Sequence, residues 1–182
     1  EQGVEFAADA LRPFVGRCEK QLQKFSELSS NHLDICAKAL SHKREGVWAQ
    51  DAVLWGGNLS VLVSLLGTPY FPQIKGGVLF LEDISEQPYR IERMLTQLLH
   101  AGVLAHQQAI VLGQFTQFQL TAHDKGFKLA SVVAWLRSNL KVPVLTDLPV
   151  GHVPTKVCLP VGAPVSVLVE ERDALILWPH GH

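Results

Sequence analysis

Residues 76–95, GGVLFLEDISEQPYRIERML, decide how this chain is read. Val78 to Leu81 form an unbroken apolar run that stops on Glu82 and Asp83, and beyond Pro88 the apolar positions recur at steps of three and four. The first part reads as a buried strand and the second as an amphipathic helix. Pro88 suits the first turn of that helix. Its inner face is Ile91, Met94, Leu95, Leu98 and Leu99, and Gly102 lies just past its end. A carboxylate at the carboxyl end of a buried strand sits where open α/β sheets place their binding crevices. The competing structural explanation is that Asp83 or Ser85 caps the following helix.

Working outward, AIVLGQF is a second apolar strand, FKLASVVAWLRSNL a second helix and VPVLTDL a third strand. Strands that are apolar throughout and alternate with helices indicate a parallel sheet with right-handed crossovers. The parallel strands are expected to include 77–82, 109–114 and 142–147, with helices near 10–28, 58–66, 88–101 and 127–140. The helix over 10–28 rests on Leu11, Phe14, Val15, Cys18, Leu22 and Phe25. LDICAKAL reads as an edge strand and HKREG as a turn. In AVLWGGNLSVLVSLLG a short strand meets a Gly-Gly turn, and Asn58 caps a helix that Gly67 closes. Downstream, KVCLP, VSVLVEE and ALILW are short strands separated by VGAP and ERD, an antiparallel addition built of hairpins. The fold class is α/β, and residues 1–182 form one domain with 1–50 as a leading helix and edge segment.

The chain has 182 residues, long enough to bury a substantial core. Its 16 Lys+Arg against 17 Asp+Glu form no basic stripe, which argues against a nucleic-acid partner. The longest apolar runs fall well short of the roughly 20 residues that a membrane helix requires. Cys18, Cys36 and Cys158 are odd in number and unpaired in spacing, so they read as free thiols in a reducing compartment. The opening EQGVEFAADALRPF carries neither a secretory signal nor an initiating Met, consistent with a piece of a longer protein.

Eight histidines raise the question of a metal, but H-E-x-x-H, C-x-x-C and acidic calcium-loop patterns are lacking. His100 suits the end of a helix, His106 and His123 fall in loops, and His180 and His182 read as a solvated tail. No nucleotide fingerprint is present, and no cofactor or metal is expected. Gly57 and Asn58 stand between a strand and a helix, where backbone N–H groups can hold a carboxylate or where the residues simply make and cap a turn. His152 stands out because it follows the third parallel strand on a loop with Gly151, Pro149 and Pro154. If Glu82 and His152 share the carboxyl edge of the sheet, they form the acid and base of a nucleophilic triad. The nucleophile is missing. Ser60, Ser64 and Ser85 lie outside any G-x-S-x-G elbow.

LWGGNLSVLVSLLGTPY, GVLFLEDISEQPYRIERMLTQLLHAGVL, AIVLGQF and VGHVPTKVCLPVGA together resemble the C-terminal half of the L,D-carboxypeptidases, serine peptidases of the muramoyltetrapeptide carboxypeptidase and microcin-immunity group. The resemblance runs from about Val53 to Ala163. It implies a three-layer swivelling β/β/α domain, with a parallel sheet and a smaller antiparallel one. It also implies a Ser-His-Glu triad that releases terminal D-alanine from murein tetrapeptides in cytoplasmic cell-wall recycling, with Glu82 as the acid and His152 as the base. The family's serine sits in an N-terminal domain absent from this chain, so the chain is expected to be inactive alone. Homodimerisation is a family expectation. The alternative is a non-catalytic peptide-binding or interaction module on the same scaffold.

Overall fold

The computed structural model describes residues 32–38, 46–154, 156–170 and 173–179. The helix expected over 10–28, residues 42–45 of the turn at HKREG, and His180 and His182 lie outside the described residues. Seven strands form one sheet in the order β1-β7-β6-β2-β3-β4-β5. They are β1 His32–Lys38, β2 Gly46–Asn58, β3 Val78–Ile84, β4 Ala109–Thr116, β5 Val144–Leu145, β6 Pro164–Glu170 and β7 Asp173–Pro179. The helices are α1 Leu59–Ser64, α2 Pro88–His100 and α3 Leu129–Asn139. No described helix is long and apolar enough to cross a membrane.

The apolar run of β3 is buried on both sides because the sheet is covered on both sides. Leu79 and Leu81 pack with Ile91, Met94, Leu95 and Leu98 of α2 and Val132 and Leu136 of α3. Val78 and Phe80 face the other way and share a cluster with Val165, Val167 and Val169 of β6 and Ala174, Ile176 and Trp178 of β7. The antiparallel strands therefore fold back over the parallel ones, giving the layers β/β/α. Parallel β2–β3, β3–β4 and β4–β5 pairs make the central layer, and antiparallel β2–β6, β6–β7 and β7–β1 pairs make the outer one.

The parallel and antiparallel sheets expected from the sequence are both present and are joined through β2. This strand has 13 residues, pairing antiparallel with β6 from Gly46 to Val53 and parallel with β3 from Leu54 to Asn58. Register shifts interrupt its β6 pairing on either side of Ala49, and Asp51 adopts φ 47°. Such bulges bend a strand and increase its twist, which lets β2 pass from one layer to the next.

The parallel strands and the three described helices fall where periodicity places them, with two differences beyond. β5 is only two residues long, because the chain leaves the sheet at Thr146 and Asp147 adopts φ 66°. KVCLP is not a strand. Val157 N–H instead donates to Pro149 O at 3.0 Å, tying this segment to the loop before it. LDICAKAL does supply the edge strand β1, in register with β7 from His32↔Pro179 to Lys38↔Asp173.

Candidate active site

Side chains alternate along β3, so Glu82 continues the Val78–Phe80 face and Asp83 the Leu79–Leu81 face. Both carboxylates are buried, at 7% and 2% exposure, and each has its own partner. Asp83 Oδ2 accepts from Ser60 N–H at 2.9 Å, and its Oδ1 accepts from Asn58 Nδ2 at 2.8 Å and from Ile84 N–H at 2.9 Å. Asp83 thus anchors the start of the preceding helix, α1. The expected cap on the following helix is not made: Gln87 is the N-cap of α2, without a side-chain cap bond.

Glu82 meets His152. The imidazole Nδ1–H donates to Glu82 Oε2 at 2.9 Å. The carboxylate is almost fully enclosed, whereas the His152 side chain is about half exposed, at 48%. This contact orients the ring through Nδ1–H and directs Nε2 away from the acid. Among the described residues no hydrogen bond occupies Nε2.

His152 is not at a strand end; it lies in the loop that follows the short β5 and doubles back against β4. Leu148 N–H donates to Leu112 O at 3.2 Å, Gln114 N–H to Val150 O at 2.8 Å, and Thr116 Oγ1–H to His152 O at 3.2 Å. Gly151 crosses directly above the acid with φ 127°, and a Cβ there would lie 3.0 Å from Glu82 Oε2. The glycine before His152 is therefore required both by its dihedral and by the close approach.

The other expected contributors divide. Asn58 caps α1, its Oδ1 accepting from Val61 N–H at 3.1 Å and from Ser60 Oγ at 2.7 Å, while its Nδ2 serves Asp83. Its side chain is occupied by structure. Gly57 adopts φ 141° with nothing within 4 Å of where a Cβ would be, so its backbone borders open space. In register Gly57 pairs with Leu81 and Asn58 with Glu82, which places this turn beside the acid. No described serine hydroxyl hydrogen-bonds His152. Ser64 Oγ donates to Val61 O within α1, and Ser85 holds φ 61° just past β3.

Sequence reasoning overlooked the β4 residues that hold the loop. Gly113 interrupts an otherwise apolar strand, and that was the available signal, since such a glycine marks a bulge or a close backbone approach. A Cβ at Gly113 would meet Val150 O at 2.7 Å.

Fold and pair together define a class: a three-layer β/β/α domain presenting a carboxylate-bound histidine beyond the carboxyl ends of its parallel strands. Residues 51–167 match the family model described as LD-carboxypeptidase C-terminal domain, and the chain belongs to that family. A relative named probable murein peptide carboxypeptidase, from Bacillus subtilis (strain 168), is 31% identical over 174 residues, covering 95% of this chain and 53% of the relative. The crystal structure of muramoyltetrapeptide carboxypeptidase from Oxalobacter formigenes aligns with TM-score 0.75 at 40% identity, covering 88% of this chain and 55% of that one. A structure of MccF in complex with glutamyl sulfamoyl guanosine aligns with TM-score 0.65 at 23% identity, over 80% of this chain and 41% of that one, a likeness of fold. The chain spans about half the length of the relatives that it matches over most of its own length.

Proposed function

We propose that this chain is the acid–base half of a serine L,D-carboxypeptidase that releases terminal D-alanine from murein tetrapeptides in cytoplasmic cell-wall recycling. An N-terminal domain outside this chain supplies the serine. The observation that carries the reading is the 2.9 Å His152–Glu82 hydrogen bond, with the acid buried and the imidazole about half exposed. The relatives, a probable murein peptide carboxypeptidase and a muramoyltetrapeptide carboxypeptidase, support the substrate class.

In this mechanism His152 Nε2 takes the serine proton as the hydroxyl oxygen attacks the carbonyl carbon that links the L-centre of diaminopimelate to D-alanine. Glu82 holds Nδ1–H and stabilises the imidazolium that forms. The tetrahedral intermediate then collapses, the C–N bond breaks, and Nε2–H protonates the departing D-alanine amine. Water, deprotonated by the same nitrogen, attacks the acyl-serine and regenerates the hydroxyl. Gly57 borders the cleft with bare backbone and contacts the substrate, while Asn58 fixes that turn from behind.

The test is D-alanine release from a diaminopimelate-containing tetrapeptide by the full-length protein. His152→Ala lowers kcat by about 10⁵- to 10⁶-fold, and Glu82→Gln by about 10⁴-fold, because the orienting acid is the least costly triad member to remove. Release unchanged in a folded His152→Ala variant would overturn the assignment of His152 as the base, and absence of release by the folded full-length protein would favour a peptide-binding module.

A further inference from the structure

We propose that Gln114 is a positioning residue that sets the His152 imidazole against Glu82, working through a β-bulge in β4. The proposal rests on the acid–base reading of that pair, and nothing in the sequence pattern assigned Gln114 a role. The β3–β4 register runs Leu81↔Leu112 and then Asp83↔Phe115, so Gly113 and Gln114 together stand opposite Glu82. Two residues opposite one is a bulge, a device that re-aims groups beside functional sites.

The extra residue changes what β4 offers the loop. Gln114 grips it twice: its backbone N–H donates to Val150 O at 2.8 Å, and its side-chain Nε2 donates to Leu148 O at 3.1 Å. These carbonyls flank Pro149, and His152 lies two residues beyond Val150. Gly113 leaves the space that the loop occupies, since a Cβ there would sit 2.7 Å from Val150 O and 3.3 Å from Glu82 Cβ. Gln114 O in turn lies 3.0 Å from where a Gly151 Cβ would be, so the loop passes closely over both the bulge and the acid.

This support matters because β5 ends at Leu145, leaving no strand pairing to carry position out to His152. Among the described residues the half-exposed imidazole is hydrogen-bonded by Glu82 alone, while Thr116 Oγ1 holds the His152 backbone carbonyl at 3.2 Å. Loss of the Gln114 side-chain grip frees Leu148 O and lets the loop lift, lengthening the Nδ1–Glu82 bond without removing either residue. A misplacement of about 1 Å at a reacting group costs on the order of 10²-fold in rate, so a partial release is expected to cost about 10- to 100-fold.

The test uses the full-length protein and Gln114→Met, which keeps the side-chain length and the backbone N–H but removes the donor. Gln107→Met serves as the control. Gln107 lies at the amino end of β4, buried at 6% exposure, and donates to Ile74 O and Val103 O, so its loss costs stability away from the loop. The expected result for Gln114→Met is a His152 Nδ1–H proton resonance that is broadened and shifted from its hydrogen-bonded position. With it goes a kcat about 10- to 100-fold lower while KM stays within about twofold. Gln107→Met lowers the melting temperature but leaves the resonance and kcat as they were. An unchanged His152 resonance in Gln114→Met overturns the positioning role, whatever the melting temperature does. The two readings separate cleanly: full activity in His152→Ala sinks the catalytic reading, whereas the resonance alone decides whether Gln114 sets the imidazole.

Discussion

Glu82 and Asp83 are neighbours with opposite duties, and the strand's alternation assigns them. Only one of two successive side chains can face the layer from which the His152 loop arrives. That residue is Glu82; Asp83 is turned toward the start of α1, accepting from Asn58 Nδ2 and Ser60 N–H there and from Ile84 N–H of its own strand. Asp83→Asn keeps one acceptor oxygen but forfeits the charge and places an amide donor beside the Ser60 N–H or Asn58 Nδ2 donors. It is expected to destabilise the full-length protein by about 1–3 kcal/mol, the cost of leaving buried donors unpaired, and to leave kcat close to wild type. Thermal melts beside the D-alanine assay check this. A loss of activity as deep as that of Glu82→Gln, at unchanged melting temperature, would mean that the wrong acid was assigned. The Glu82–His152 contact was legible in the sequence because one residue ends an apolar run and the other follows a glycine after another such run. The partner of Asp83 was not, because Ser60 lies 23 positions upstream and local spacing suggests only a cap on the helix that follows.

At the scale of elements, periodicity found β3, β4, α1, α2 and α3, since each has one face or both committed to a core. It overextended β5 and misread KVCLP for a common reason. Leu148 to Val150 fold onto β4 as a loop, and Val157 and Leu159 are partly buried against the core without strand pairing, arrangements that hydropathy does not distinguish from strands. The β2–α1 junction is the element boundary with the least tolerance. Gly56 has φ 126°, and a Cβ on it would lie 2.0 Å from Phe80 O of β3 and 3.0 Å from Leu79 Cδ1. Backbone rather than a movable side chain is in the way. Gly56→Ala therefore forces β2 and β3 apart where their parallel pairing supports both the Gly57 turn and Glu82. The expected cost exceeds about 3 kcal/mol, combining a strained dihedral with overpacking. It is measured as a large fall in melting temperature or a loss of soluble full-length protein. A variant that melts with wild type would show that the junction is looser than its geometry indicates.

For the molecule as a whole, the continuity of the sheet through β2 was hidden, because a strand's residues do not announce that its partner changes midway. The alternation from Gly46 to Asn58 serves β6 on one stretch and β3 on the next, and the bulges near Ala49 and Asp51 leave no hydrophobic signature. The consequence is that the outer layer braces the same strand that ends at the site, so the domain offers Glu82 and His152 from a rigid frame. No described serine hydrogen-bonds His152, and the hydroxyls of Ser60 and Ser64 are committed within α1 and its cap. Under the proposed division of labour the 182-residue chain, purified and shown by circular dichroism to hold both helix and sheet, releases no D-alanine from the tetrapeptide. Activity returns when the serine-bearing half is restored to the same polypeptide, because only then do proton acceptor and attacking oxygen share a site. Turnover by this chain alone at roughly 1 per second, the lower end of ordinary enzymes, would place the nucleophile within these residues. Retention of that turnover in a Ser85→Ala variant would then exclude the hydroxyl whose residue sits just past β3 and return the search to the residues outside the described structure.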